Sequence, residues 1–391
     1  MRVISIRAGR LKGKVALVVS VAILFIFFFY RGVHNISDRI MSAEITSLSY
    51  EATVVLKNND VLKRLGEGIS QAQISNSGSN MQYKYKLSVN KKNSTLIFLF
   101  SEPGTLFEAR TGRFYMLKNK GASLEAALKE LERQNPYGEF LTWDIAKKVF
   151  LKHDKARVVD FESGLDFWVQ RRAGSSHADV QPLTATDSAI MKKIYGGKWS
   201  WRRRAVIVEV KGRRIAASMN GMPHGSGAIR GNKFNGHSCI HFRDSKLHDK
   251  NEDLAHQIMV WKAAGMVEQM LADASPEKII TVMLVAMEQG DYKLAARLVQ
   301  PSEEIGETEV IKQLKTVKWM AVSKIGKPRK QGNLQSFNLK ISYGLSDGTQ
   351  VRNRPATFTL VKVTDKSPWK ISAQGIIGLL KKQKETAASL N

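Results

Sequence analysis

Residues Val15 to Tyr30 read VALVVSVAILFIFFFY, an uncharged run that follows Arg2, Arg7, Arg10, Lys12 and Lys14 with no acid among them. Charged side chains are costly in hydrocarbon, so a run of this kind suits a bilayer span or a secretion signal. Extended through Gly32 and Val33, with the Arg31 head snorkelling, it approaches the roughly 17–25 residues that a span needs. The basic flank precedes the run, which places Met1 in the cytoplasm and everything after Gly32 outside. Bulky Phe27, Phe28, Phe29 and Tyr30 occupy the end of the run, where a cleavage site needs small residues. The sequence therefore predicts an uncleaved, single-pass cell-membrane protein. It would contact the membrane through residues 15–33 and hold its C-terminal bulk extracytoplasmically.

That location bears on the charge. Lys and Arg number 61 against 35 Asp and Glu, a formal net charge of +26. So large an excess suits an anionic partner. The chain has no basic recognition helix, no zinc-finger spacing and no aromatic strand signature of an RNA-binding sheet, so nucleic acid is not an expected partner. Outside a membrane the expected anionic partners are peptidoglycan carboxylates, anionic wall polymers or lipid headgroups. The densest clusters are Arg202-Arg203-Arg204 and Lys327-Pro328-Arg329-Lys330. The chain has a single Cys, which excludes a disulfide framework and a thiolate-only zinc site. No cofactor is expected.

Length and patterning divide the remainder into three blocks. Residues 41–155 read as a small α+β spacer or binding module. Its helices are expected near 58–73 and 122–134, and Tyr83, Tyr85, Leu87 and Val89 alternate as in a half-buried strand. Residues 156–274 read as mainly β with a covering helix at 253–271. Residues 275–391 open with Ser275 as N-cap and Pro276 at the first helical position. Two helices and then four strands follow, at 317–325, 334–343, 356–363 and 369–373. Two helices and a curled antiparallel sheet resemble the nuclear-transport-factor-like (cystatin-like) family. The resemblance implies a cone-shaped accessory domain and a homodimer formed through it. The expected fold class is thus α+β multidomain: an N-terminal transmembrane helix, a small α+β module, a mainly-β domain and the cone.

The middle block holds six of the eight His (177, 224, 237, 241, 248 and 256), the only Cys, and Trp168, Trp199, Trp201 and Trp261. Its key stretch runs Met222-Pro223-His224-Gly225-Ser226-Gly227 and, after a loop, Asn235-Gly236-His237-Ser238-Cys239-Ile240-His241-Phe242. On a strand, residues two apart face the same side, so His237, Cys239 and His241 would share a face. An imidazole there can take the thiol proton, and an imidazolium stabilises the thiolate, so an accessible thiol of low pKa is expected.

This stretch resembles the L,D-transpeptidases, which cross-link peptidoglycan. They carry an upstream His-Gly and a later Ser/Thr-His-Gly-Cys; here His224-Gly225 and Gly236-His237-Ser238-Cys239 take those places. The resemblance covers residues 158–248 and implies a β-sandwich-like catalytic domain. It implies that Cys239 is the acyl-accepting nucleophile, His237 its general base, and His224 a wall that orients the donor peptide. Backbone N–H groups near Ser238 and Cys239 would form the oxyanion hole. Gly225, Ser238, His241 and Arg243 would line the substrate side. Trp201 and Arg202 would stack a sugar and bind a carboxylate or phosphate. The sequence departs from the family at Gly236, Ser238 and His241.

Two other readings stand beside this one. His224, His237, Cys239 and His241 could hold zinc in a wall peptidase, although no His-Glu-x-x-His motif is present. Alternatively the domain binds the wall without catalysis. His177-Ala178-Asp179 either orients a catalytic imidazole or caps a turn.

Overall fold

The computed structural model describes residues 39–76, 83–249, 251–364 and 367–378. The chain is α+β, but among the described residues no helix is long and apolar enough to cross a membrane. The fold expectation is corrected in that respect. The run expected as a transmembrane helix, residues 15–33, lies outside the described residues.

The chain forms two compact units, divided between Pro136 and Tyr137. The first is a seven-stranded antiparallel sheet, ordered β2-β1-β4-β5-β6-β7-β3. Its strands are β1 Ile40–Ser47, β2 Thr53–Leu56, β3 Gln73–Ser75, β4 Tyr85–Lys91, β5 Ser94–Phe100, β6 Thr105–Glu108 and β7 Arg113–Met116. The helix Asn59–Ser70 starts where the Asn58 side chain accepts from the Asp60 and Val61 amides. With the helix Glu125–Arg133 it covers a core that includes Leu65, Leu87, Phe98, Phe100 and Leu131.

The second unit begins earlier than the expected boundary at 155. The Glu139 amide donates to the Arg214 carbonyl at 2.7 Å, and the Ala216 amide donates back to Glu139 at 3.0 Å. Trp143, Ala146 and Phe150 then fill one end of the following β-structure, so residues 137–155 belong to its core. That structure comprises β8 Lys155–Asp160, β9 Asp166–Ala173, β10 Ala178–Pro182, β11 Arg204–Val210, β12 Arg213–Met219 and β13 Ser238–His241. The strands close into a barrel in the order β10-β13-β12-β11-β8-β9, not a sandwich. Closure follows because β10 pairs with both β9 and β13, which removes the sheet edges. Val158, Phe167, Val169, Val206, Val208, Ile215, Ala217 and Ile240 are among the residues that fill it.

The sequence of β11, RAVIVEV, has a nearly continuous apolar run because the strand is covered on both faces. Val206, Val208 and Val210 point into the barrel. Ala205 and Ile207 point outward, with Ala216 of β12, into a second core. There they meet the helices Leu254–Ala263 and Pro276–Gln289 and the last sheet, whose Phe337, Ile341, Tyr343 and Phe358 are fully buried. Trp261 is only partly buried, its ring 4.6 Å from that of Phe140. The last sheet runs β14-β19-β18-β17-β15, with β16 paired to β17. These strands are β14 Val299–Gln300, β15 Val317–Ile325, β16 Arg329–Gln331, β17 Leu334–Leu345, β18 Gln350–Val361 and β19 Lys370–Ser372. Ser275 caps the helix Pro276–Gln289 through the Lys278 amide, and Gly290 ends it in the left-handed region.

Candidate active site

The site is built where β10 and β13 pair, with Asp179 opposite Cys239. Upstream of β13, His224 and His237 form an isolated antiparallel bridge, each amide donating to the other carbonyl at 3.0 and 2.8 Å. Two glycines allow this approach. Gly236 has φ +118°, and a Cβ there would meet the His224 carbonyl oxygen at 2.4 Å; Gly225 has φ +61°, and its Cβ would meet His237 Cε1 at 2.5 Å. The intervening loop is held by Gln181, a buried side chain whose Nε2 donates to Gly236 O at 2.7 Å and whose Oε1 accepts from the Ala228 amide at 2.8 Å. Asn232 pins the same loop by donating to Pro182 O at 2.9 Å.

Within this frame His224 Nε2 lies 3.2 Å from Cys239 Sγ. His224 Nδ1 faces the Met222 carbonyl at 2.8 Å, and a carbonyl can only accept. The proton of the neutral ring is therefore on Nδ1, and the Nε2 lone pair is left for the thiol. His237 is built the same way: Nδ1 donates to the Ser226 carbonyl at 3.1 Å. Its Nε2 is buried, has no hydrogen-bond partner among the described residues, and lies 3.8 Å from Asp179 Oδ1. His248 Nε2 is 4.0 Å from the sulfur, and Asp179 Oδ1 is 3.9 Å from it. His177 Nε2 lies 3.0 Å from Asp179 Oδ1, and its Nδ1 faces the Lys246 carbonyl at 2.7 Å. Thus His177-Ala178-Asp179 supplies site residues and no turn cap.

The electrostatics follow from burial. Cys239 is 4% exposed, and burial together with the Asp179 charge pushes its thiol up to about 12, with the Asn220 side chain acting in the other direction. The expectation of an accessible thiol of low pKa is corrected: neutral thiol is the resting form. Burial also lowers the His224 pKa, and the neighbouring His237 and His248 add to the effect. Burial alone would raise Asp179, but the close approach of His177, with His237 and His248, leaves it below the ordinary carboxylate range.

The expected site residues divide. Cys239, His224 and His237 come together, and Trp201, about half exposed, stands with its ring 4.9 Å from that of His224. The imidazole in contact with the sulfur is His224, where the sequence reading placed His237. Gly225 bends the loop and is exposed. Ser238 is buried, and its hydroxyl has no hydrogen-bond partner among the described residues. His241 takes no part with the sulfur; its ring stacks on His177 at 4.5 Å and on His256 at 3.7 Å. Arg243 lies over the Phe140 ring at 4.9 Å. Arg202 is exposed, but the other members of the basic run are structural. Arg203 pairs with Asp253 at 2.6 Å, and Arg204 forks onto the fully buried Asp160 at 2.6 and 2.7 Å.

Nothing in the sequence singles out Gln181 or Asn220, Asp179 stands out there only through His177-Ala178-Asp179, and His248 only as one of the six His. No spacing rule links these residues to Cys239, because closure of the barrel brings them together. No family model matches the chain, and no curated protein sequence is similar enough to place it.

Proposed function

We propose that the chain is an extracytoplasmic cysteine acyltransferase acting on peptidoglycan stem peptides, with Cys239 as nucleophile and His224 as its base. The observation that carries the reading is the 3.2 Å contact between the Cys239 sulfur and a His224 nitrogen whose tautomer is set by Met222. A raised thiol pKa calls for a base that removes the proton as the sulfur attacks, and a lowered imidazole pKa keeps that base free. Cys239 Sγ bonds to a stem-peptide carbonyl carbon while His224 Nε2 takes the thiol proton. Collapse of the tetrahedral adduct breaks the C–N bond, and His224 returns the proton to the departing amine. An amine of a second stem, or water, then attacks the thioester carbonyl and releases the thiol.

The basic then apolar N-terminal sequence and the net charge of +26 support a substrate in an anionic envelope. Trp201, exposed beside His224, suits a sugar face. Intact-mass measurement of the protein incubated with stem tetrapeptide is the test. An adduct on Cys239 is expected; it should be absent in Cys239→Ala and formed at least about 100-fold more slowly in His224→Ala. Equal peptide turnover by Cys239→Ala would overturn the reading.

A further inference from the structure

We propose that His224, His237, Cys239 and His248 also form a binding site for a thiophilic divalent transition metal of the zinc class, and that the ion holds the acyl-transfer thiol in a closed state. The ligand atoms of these four residues lie within 4.8 Å of one another. A tetrahedral ion with one sulfur and nitrogen ligands needs sulfur–nitrogen edges of about 3.5 Å, from metal–ligand bonds of about 2.3 and 2.0 Å. The observed edges from Cys239 Sγ are 3.2 Å to His224 and 4.0 Å to His248, on either side of that value.

The ring tautomers point to the same use. Metal-binding imidazoles commonly anchor their other N–H on a carbonyl or carboxylate. His224 and His237 both do so, on Met222 and Ser226, which leaves Nε2 of each ring as the ligand atom. A thiol has one proton, which can satisfy one of these nitrogens. The other, His237 Nε2, is buried without a hydrogen-bond partner among the described residues. A buried polar atom in that state is destabilising, and a metal lone-pair contact would relieve it. Acyl transfer by the Cys239–His224 pair gives no reason for a second imidazole of identical tautomer at the same point. Coordination does.

Charge balance also fits. Binding converts Cys239 to thiolate and releases its proton to solvent, so a divalent ion and one thiolate leave a single positive charge. Asp179, 3.9 Å from the sulfur and 3.8 Å from His237 Nε2, stands beside the cluster as the counter-charge. His248 is exposed, so it is the ligand that can close over an ion entering from solvent. With the sulfur coordinated, its lone pair and the His224 Nε2 lone pair are both engaged, and attack on a carbonyl stops. This inhibitory half rests on the acyl-transfer reading; the metal site itself does not.

The test uses the full chain, stripped with chelator and titrated with cobalt(II). A sulfur-to-cobalt charge-transfer band saturating at one ion per chain, and displaced by zinc, is expected. His248→Ala, which removes the exposed ligand and leaves Cys239 and His224 in place, should weaken cobalt binding by at least about 10-fold. One equivalent of zinc should suppress acylation by the parent, reversibly with chelator, and His248→Ala should need at least about 10-fold more zinc for the same fractional loss of its own metal-free rate. Absence of the band, or an undiminished band in His248→Ala, would overturn the metal site. A normal band with acylation indifferent to zinc would overturn the inhibitory role. A normal band in a protein that never acylates would instead sink the acyl-transfer reading and leave the metal site standing.

Discussion

At the residue scale, Gly236 carries more of the site than its lack of a side chain suggests. Its φ of +118° is open to glycine and strained for L side chains, and the space a Cβ needs is taken by the His224 carbonyl. Gly236→Ala should therefore separate His224 from His237, cost about 1–3 kcal/mol of stability, and abolish Cys239 acylation. Gly231, at φ +77° with nothing near its Cβ position, is the control. Gly231→Ala should cost about 1 kcal/mol and keep acylation, as urea melts and intact mass would show. A second residue-scale expectation concerns His256, whose pKa is lowered well below the ordinary histidine value by burial, with Arg203 and His177 contributing. Its folded-state pKa lies below its unfolded value, so below about pH 6.5 the unfolded chain binds the additional proton. Stability is complete above that pH and falls as pH drops through it. His241, lowered first by burial and then by His256 and His177, acts in the same direction. The urea midpoint should drop between pH 7.5 and pH 5, and less steeply in His256→Gln. An equal slope in the two proteins would show that other groups control the acid response.

At the scale of elements, β8 and β11 are tied by the Arg204 fork on Asp160. Asp160 also accepts from the Ser163 amide and hydroxyl at 2.9 and 2.7 Å. Removing one member of a buried pair strands the other, so Asp160→Ala should cost about 3–5 kcal/mol, read as a lowered thermal midpoint. Many elements were legible in sequence because local chemistry dictates them. Asn58 caps one helix, Ser275-Pro276 opens another, and Tyr85, Leu87 and Val89 alternate along β4 with their side chains buried. The strands β15 and β17 start at Val317 and Leu334 as expected, whereas β18 starts at Gln350, six residues before the expected 356. The Cys239 neighbourhood was legible as a composition of Cys and His, but the partner of the sulfur was not. Strand alternation favoured His237, whereas the His224–His237 bridge swings His224 onto the thiol. The placement of residues 137–155 was also hidden, since Trp143 and Phe150 announce burial without naming the core they enter. Arg202-Arg203-Arg204 read as a surface cluster because their acidic partners, Asp253 and Asp160, lie 50 and 44 residues away.

At the scale of the whole molecule, the net charge of +26 should make binding to anionic cell wall salt-dependent. With Arg203 and Arg204 committed to ion pairs, exposed Arg202, Lys327, Arg329 and Lys330 become the residues to change. Replacing these four with Gln should weaken retention on wall sacculi at moderate salt while shifting the melting temperature little. Binding that survives high salt, or removal of the anionic polymer, would assign recognition to shape. The two-sided covering of β11 has a practical consequence for dissection. A fragment ending near Ala274 would keep the helix Leu254–Ala263 on β11 and β12 but strip Ile279, Met283, Phe337 and Tyr343 from the core that this helix shares with them. Apolar surface uncovered in that way invites self-association. Protease digestion should accordingly leave residues 137–378 as one resistant piece, and the barrel is best produced together with everything that follows it.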